Sequence, residues 1–179
     1  MDFKSLPIDY DLNESDKYSS VVQRYYTPRY CMNITQPGDD YCILIHSNRV
    51  CLITLAPSHA LFKNKDISSV SFQISHNLNR LKNKVSGKSK HGAQRLQPSS
   101  TIMLVNCADG NTYSAKCGIS GKLLEVNEQL LQNPNLLVNE PQGRGYIAIV
   151  LPDIALVQQY KDSLLDELQY QEKCKILDS

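Results

Sequence analysis

Between Tyr41 and Leu151 the chain never sustains a helical period: apolar residues come in short β-rich runs, broken again and again by Gly, Pro, Asn and Asp. Short strands separated by turn signals are the pattern of a β-sandwich or barrel. "YCILIHSNRVCLITL" reads as two strands around a turn at His46, Ser47, Asn48 and Arg49. "ISSVSFQI" alternates apolar and polar residues with one slip, as a half-buried strand does. "TIMLVNC", "TYSAKC" and "KLLEVN" follow, and "YIAIVL" closes the sheet. Asp109-Gly110 marks a tight hairpin tip, because Gly accepts the positive backbone angles such a turn needs. After Pro152 the period becomes helical, with Asp153 as N-cap and Val157, Tyr160, Leu164 and Leu168 on one stripe. The expectation is about seven strands and one terminal helix.

The 179 residues suit one domain with tails, and a hydrophobic share of 41% supplies a core. Residues 1–20 hold five acids against two lysines and no sustained period, so they read as an acidic mobile tail. The barrel is expected over 21–152 and the helix with its tail over 153–179. "VVQRYYTPRYCMNI" reads as an extended arm, "TQPGDD" as a turn, and "APSHALFKNK" as room for one helical turn near Ser58. No signal-peptide run opens the chain, and "YIAIVL" is too short to span a bilayer, so a soluble intracellular protein is expected. Cys31, Cys42, Cys51, Cys107, Cys117 and Cys174 form no CxxC pair and read as free thiols.

A formal net charge of +1 conceals a sharp segregation. No Asp or Glu occurs from Ile67 to Ala108, while Arg80, Lys82, Lys84, Lys88, Lys90 and Arg95 fall within sixteen residues. Residues 153–179 carry six acids against three lysines. The basic segment is the candidate partner-binding face, attractive to an acidic protein with an affinity that falls with salt. A solvated loop is the plain alternative. RNA could use the same charges, but no aromatic residue lies between Phe72 and Tyr113 to stack a base. Complementary charge also allows intramolecular pairing or head-to-tail self-association.

Catalytic signals are absent from the pattern. His46, His59, His76 and His91 are scattered and read as turn or surface residues. Cys117 beside Lys116 offers weak grounds for a reactive thiol. "SGK" lacks the rest of a phosphate loop, and Gly87 and Gly92 read as turn residues. No metal and no cofactor is expected.

From Val85 onward V-x-G, K-x-G, a hairpin tip, S-G, E-V-N-E, N-P and G-x-G follow in order. This order, above all "SGKLLEVNEQLLQNPNLLVNEPQGRGYIA", resembles the glycine cleavage H-protein and its lipoyl-type barrel-sandwich fold with a C-terminal helix. In that family the lipoyl lysine stands at the hairpin tip. The equivalent residue here is Gly110, which has no amine to modify. "VVQRYYTPRY", "HSNRVCLITLAPSH", "SFQISHNLNRLKNKVSGKSKHGAQRL" and "GYIAIVLP" extend the likeness from Val21 to Lys175, where the chain resembles the Abitram (Simiate) family of actin-binding transcription modulators. That resemblance implies a non-enzymatic, non-lipoylated protein binding monomeric and filamentous actin and regulating polymerisation and cell-protrusion dynamics. It also implies nuclear speckles and cytoplasm, including cell projections, as locations, nuclear protein partners, no membrane, and an effect on transcription. A nuclear adaptor or RNA-associated factor using Arg80–Arg95 is the alternative.

Overall fold

The run YCILIH is apolar at consecutive positions because the strand it forms, β2 (Tyr41–His46), is covered on both faces. Tyr41, Ile43 and Ile45 point into the main core, whereas Cys42 and Leu44 belong to a second apolar cluster. Each such side chain, fully buried, contributes roughly 1.5–3 kcal/mol.

The structure is a computed structural model describing residues 24–63 and 66–179; the tail expected over 1–20 lies outside these residues. A six-stranded antiparallel sheet runs β1 (Tyr26–Cys31), β2, β3 (Cys51–Leu55), β11 (Ala148–Leu151), β10 (Gly121–Val126), β7 (Arg95–Leu96). A three-stranded sheet is ordered β4 (Ile67–Ser71), β8 (Thr101–Cys107), β9 (Thr112–Lys116), and a small ribbon pairs β5 (Gln73–Ser75) with β6 (Leu78–Asn79). One core lies between the two larger sheets, with Ile43, Ile53, Leu123 and Val150 from the first meeting Val70, Met103, Val105 and Ala115 from the second. The described residues thus form eleven strands rather than about seven. The additional ones are mostly two- and three-residue pieces, too short to show a period.

Three expectations need correction. The "arm" around Pro28 is β1, an edge strand paired with β2 from Tyr26↔His46 to Cys31↔Tyr41. The C-terminal helix is broken into α3 (Ile154–Ser163) and α4 (Glu167–Leu177), after the two short helices α1 (Gln129–Gln132) and α2 (Leu136–Asn139). Val157, Tyr160 and Leu164 pack on the main core, but Leu168 is 72% exposed because the break rotates it away. The break is a new N-terminus: Asp166 Oδ1 accepts from Gln169 N at 2.9 Å and Gln169 Oε1 accepts from Asp166 N at 3.0 Å, a capping box. Asp153 does stand at the N-cap of α3, but its side chain makes no capping hydrogen bond.

Near Ser58 the helical turn is a 3-10 turn, Ala60–Phe62, capped by the Nδ1 of His59 accepting from Leu61 N at 3.1 Å. His59 is buried, not a surface histidine. In the G-x-G motif the demand falls on Gly145, where a Cβ would run into the carbonyl of Leu136. Gly143 has ordinary room.

Candidate functional site

The basic segment is built on a stapled base. A 3-10 turn, Arg80–Lys82, starts at Asn79, whose Oδ1 accepts from Leu81 N at 2.9 Å. Gln94 Nε2 donates to Asn79 O at 2.9 Å, Gln94 N donates to Asn83 Oδ1 at 2.8 Å, and Asn83 Nδ2 donates to Leu123 O at 2.8 Å. Above this base Ser86 and His91 exchange two backbone bonds of 3.0 and 2.9 Å, which projects Gly87–Lys90 as a turn. Gly92 closes the stalk at φ +79°, where a Cβ would lie 2.7 Å from the carbonyl oxygen of Lys84.

Arg80 is not part of the exposed face. It is buried, its Nε and Nη2 donate to Thr101 O at 3.0 and 2.8 Å, and Nη1 donates to Gln94 Oε1 at 2.8 Å. Burial holds its pKa below the ordinary guanidinium value. Lys82, Lys84, Lys88 and Arg95 are exposed and Lys90 is half-buried. Arg95 faces Asp153 at 4.0 Å, a pair with both side chains about two-thirds exposed and therefore weak.

The fold adds two cations that no local pattern announced. Arg49, from the β2–β3 turn, and Lys122, from β10, join Lys88 and Lys90 around a cavity of about 290 Å³. Lys122 Nζ donates to Ser89 O at 2.8 Å, tying β10 to the turn. Asp153 is the acidic residue lining this cavity. Their separation in sequence, across three elements, hid them; the signal present was a lysine on the solvent face of "KLLEVN" and an arginine at a hairpin tip.

Gly110 occupies the tip of the β8–β9 hairpin at φ +87°, with open space where a Cβ would stand. The tip is held by Asn111, whose N donates to Asp109 Oδ1 at 2.9 Å and whose O accepts from Cys107 N at 2.8 Å. Lys116 lies in β9 and donates from Nζ to Thr101 Oγ1 at 2.9 Å.

Beneath α4 a second concavity of about 560 Å³ borders Asp40, Ser58, His59 and Cys174. Its polar groups are occupied with one another. Ser58 Oγ donates to Asp40 Oδ2 at 2.6 Å; His59 Nε2 lies 3.3 Å from Tyr41 Oη, which itself donates to Asp39 Oδ1. Burial pushes the Cys117 thiol up to about 12, the opposite of an activated nucleophile. Among the described residues no group of three or more His, Cys, Asp or Glu is placed to hold a metal ion, and no helix is long and apolar enough to cross a membrane.

Comparison with known proteins places this architecture. The family model for the glycine cleavage H-protein matches residues 109–176. The crystal structure of a glycine cleavage system H protein from Mycobacterium marinum superposes with a TM-score of 0.55 at 15% identity, over 82% of this chain and 96% of that one. The fold is therefore the lipoyl-type barrel sandwich of the H-protein. Protein Abitram from Xenopus tropicalis is 45% identical over 164 residues, covering 90% of both chains. Protein Abitram from Homo sapiens is 44% identical over 155 residues, 86% of both, and that from Dictyostelium discoideum 34% identical over 75% of this chain. With identity of this level along nearly its whole length, the chain belongs to the Abitram family.

Proposed function

We propose that the protein is a non-enzymatic actin-binding module, acting on polymerisation and cell-protrusion dynamics, with a second role in transcription in the nucleus. The observation that carries this reading is the cationic segment, with Lys82, Lys84, Lys88 and Arg95 exposed and Lys90 half-buried, on a barrel with no acid between Ile67 and Ala108. Such a face attracts an acidic protein surface, raising association rate and fixing orientation more than it adds raw affinity. Family membership supports actin as that surface. The lipoyl-carrier role is set aside because Gly110 offers no amine at the hairpin tip. Nucleus, speckles, cytoplasm and cell projections are the proposed locations.

Co-sedimentation with filamentous actin across a salt series tests the reading, with Lys82→Glu, Lys84→Glu, Lys88→Glu and Lys90→Glu combined as control. Saturable pelleting that weakens with salt and is lost in the folded variant is expected. No pelleting of the wild-type protein at low salt would sink it and favour a nuclear adaptor. Intact mass after expression in a lipoylating host should show no lipoyl increment.

A further inference from the structure

Among the described residues, three that are not glycine hold a left-handed backbone: Asn33 at φ 53°, Arg49 at φ 79° and Lys90 at φ 52°. Asn adopts this region readily, but a long cationic side chain there is strained where Gly would be comfortable. Two such positions line the same cavity, Arg49 from one element and Lys90 from another, with Lys88 and Lys122 beside them. Cations converging on one cavity from three elements suit an anionic occupant. Four cations there face one lining acid, Asp153, which is two-thirds exposed and shared with Arg95.

The occupant can be argued from where the chain enters. Tyr25 O accepts from Ser47 N at 3.2 Å, and the Tyr25 ring stacks on His46 at 6.3 Å. The segment before Arg24 is therefore joined to residues that lie beside the β2–β3 turn, the same turn that sets Arg49, whose N donates to His46 O at 2.9 Å. That segment carries Asp2, Asp9, Asp11, Glu14 and Asp16 against Lys4 and Lys17. Asp16 is eight residues from Arg24, a reach of up to about 28 Å extended. Acidic chain thus begins within tethered range of the cavity, at an effective concentration that a free partner must outcompete.

We propose that residues 1–20 dock their carboxylates in the cavity walled by Arg49, Lys88, Lys90 and Lys122, screening the basic face from other acidic partners. The docking stands on these placements; its regulatory consequence rests on the actin-binding reading above.

Zero-length carbodiimide cross-linking of the full chain at low micromolar concentration, mapped by mass spectrometry, provides the first readout. Links from Asp9, Asp11, Glu14 or Asp16 to Lys88, Lys90 or Lys122 are expected in the monomer band, fading in high salt. Amide NMR provides the second: combined Asp9→Asn, Asp11→Asn, Glu14→Gln and Asp16→Asn should shift the amides of Arg49, Ser89, Lys90 and Lys122 and leave core amides in place. Unmoved cavity amides without monomer links overturn the docking, and links confined to a dimer band overturn it in favour of a second copy. If the segment is docked in nine molecules of ten, the neutralised variant binds filamentous actin about tenfold more tightly. Monomer links with no actin binding by either form would remove the actin reading and leave the docking intact.

Discussion

Arg80 and Thr101 are joined by a forked contact, the guanidinium donating from Nε at 3.0 Å and Nη2 at 2.8 Å to one backbone carbonyl. This fixes the start of β8 to the base of the basic turn, and it separates Arg80 from the cations that follow it. Arg80→Ala should cost about 2–3 kcal/mol, since it removes charge-assisted bonds to the Thr101 carbonyl and to Gln94 Oε1. Lys82→Ala or Lys88→Ala should stay within about 0.5 kcal/mol of wild type. Urea unfolding of the three variants makes the comparison, and equal stabilities would contradict the structural role of Arg80.

Tyr170 is the anchor of α4. Its ring stacks on Tyr30 at 4.1 Å with planes 5° apart, and its Oη accepts from Ser58 N at 2.9 Å while donating to Ser58 Oγ at 2.8 Å. Tyr170→Ala should cost about 3–5 kcal/mol and release amide exchange protection across 167–177. Tyr170→Phe keeps the stack and should cost about 1 kcal/mol. Protection unchanged in Tyr170→Ala would mean that the helix is held elsewhere.

Asp39 sets an acid limit on stability. Burial alone would raise its pKa, but contacts from His59, Thr35 and Tyr41 outweigh burial and hold it below the ordinary value of 3.8. Because the folded pKa is lower than the unfolded one, this carboxylate stabilises the fold above the unfolded value. That contribution is lost as pH falls through the folded pKa. Unfolding free energy should therefore be insensitive to this group at neutral pH and decline as pH drops below 3.8. Asp39→Asn should destabilise the protein at pH 7 by about 2 kcal/mol and flatten the acid limb, as read by urea titrations at several pH values.

Thiol reactivity should single out Cys174. Burial raises Cys31, Cys51 and Cys117 to about 12, Cys42 to about 11, and Cys107 in the same direction. At pH 8 a thiol of pKa 12 is ionised in roughly one molecule in ten thousand, so attack on a disulfide reagent is slow. Cys174 is half-buried at the rim of the groove under α4. Ellman titration of native protein should give one fast thiol, abolished by Cys174→Ser, with the remainder released in urea. A second fast thiol in native buffer would contradict the burial of the strand cysteines.

What was legible in the chain was whatever its neighbours in sequence determine. The β2–β3 and β8–β9 hairpins follow from paired β-rich runs and turn chemistry, and the ordered glycines led to the fold because a residue such as Gly145 answers one close backbone approach. The split of the last helix was also written locally, as Asp166 followed by Gln169, but a continuous apolar stripe outweighed it. The cavity was not legible. Lys122 reaches Ser89 across 33 residues and Arg49 arrives from a third element, so only the closed sandwich assembles them. Arg80 misled because charge is visible in sequence and burial is not; its partner Thr101 lies 21 residues away.

The contact between β1 and the link from α3 to α4 bears on how this protein behaves at high concentration. Tyr30 N donates to Leu165 O at 2.8 Å and Leu165 N donates to Tyr30 O at 3.1 Å, on the outward side of the sheet's first strand. Two residues earlier Pro28 has no N–H to offer, and its carbonyl accepts from Arg29 Nη1 at 2.8 Å. An exposed margin of this kind is where foreign strands add and fibrils begin. Here a proline, an arginine and a turn between helices occupy it. A partner that recruits this protein by strand addition would first have to displace its C-terminal helices from that margin, and colloidal stability should fall with any substitution that loosens them.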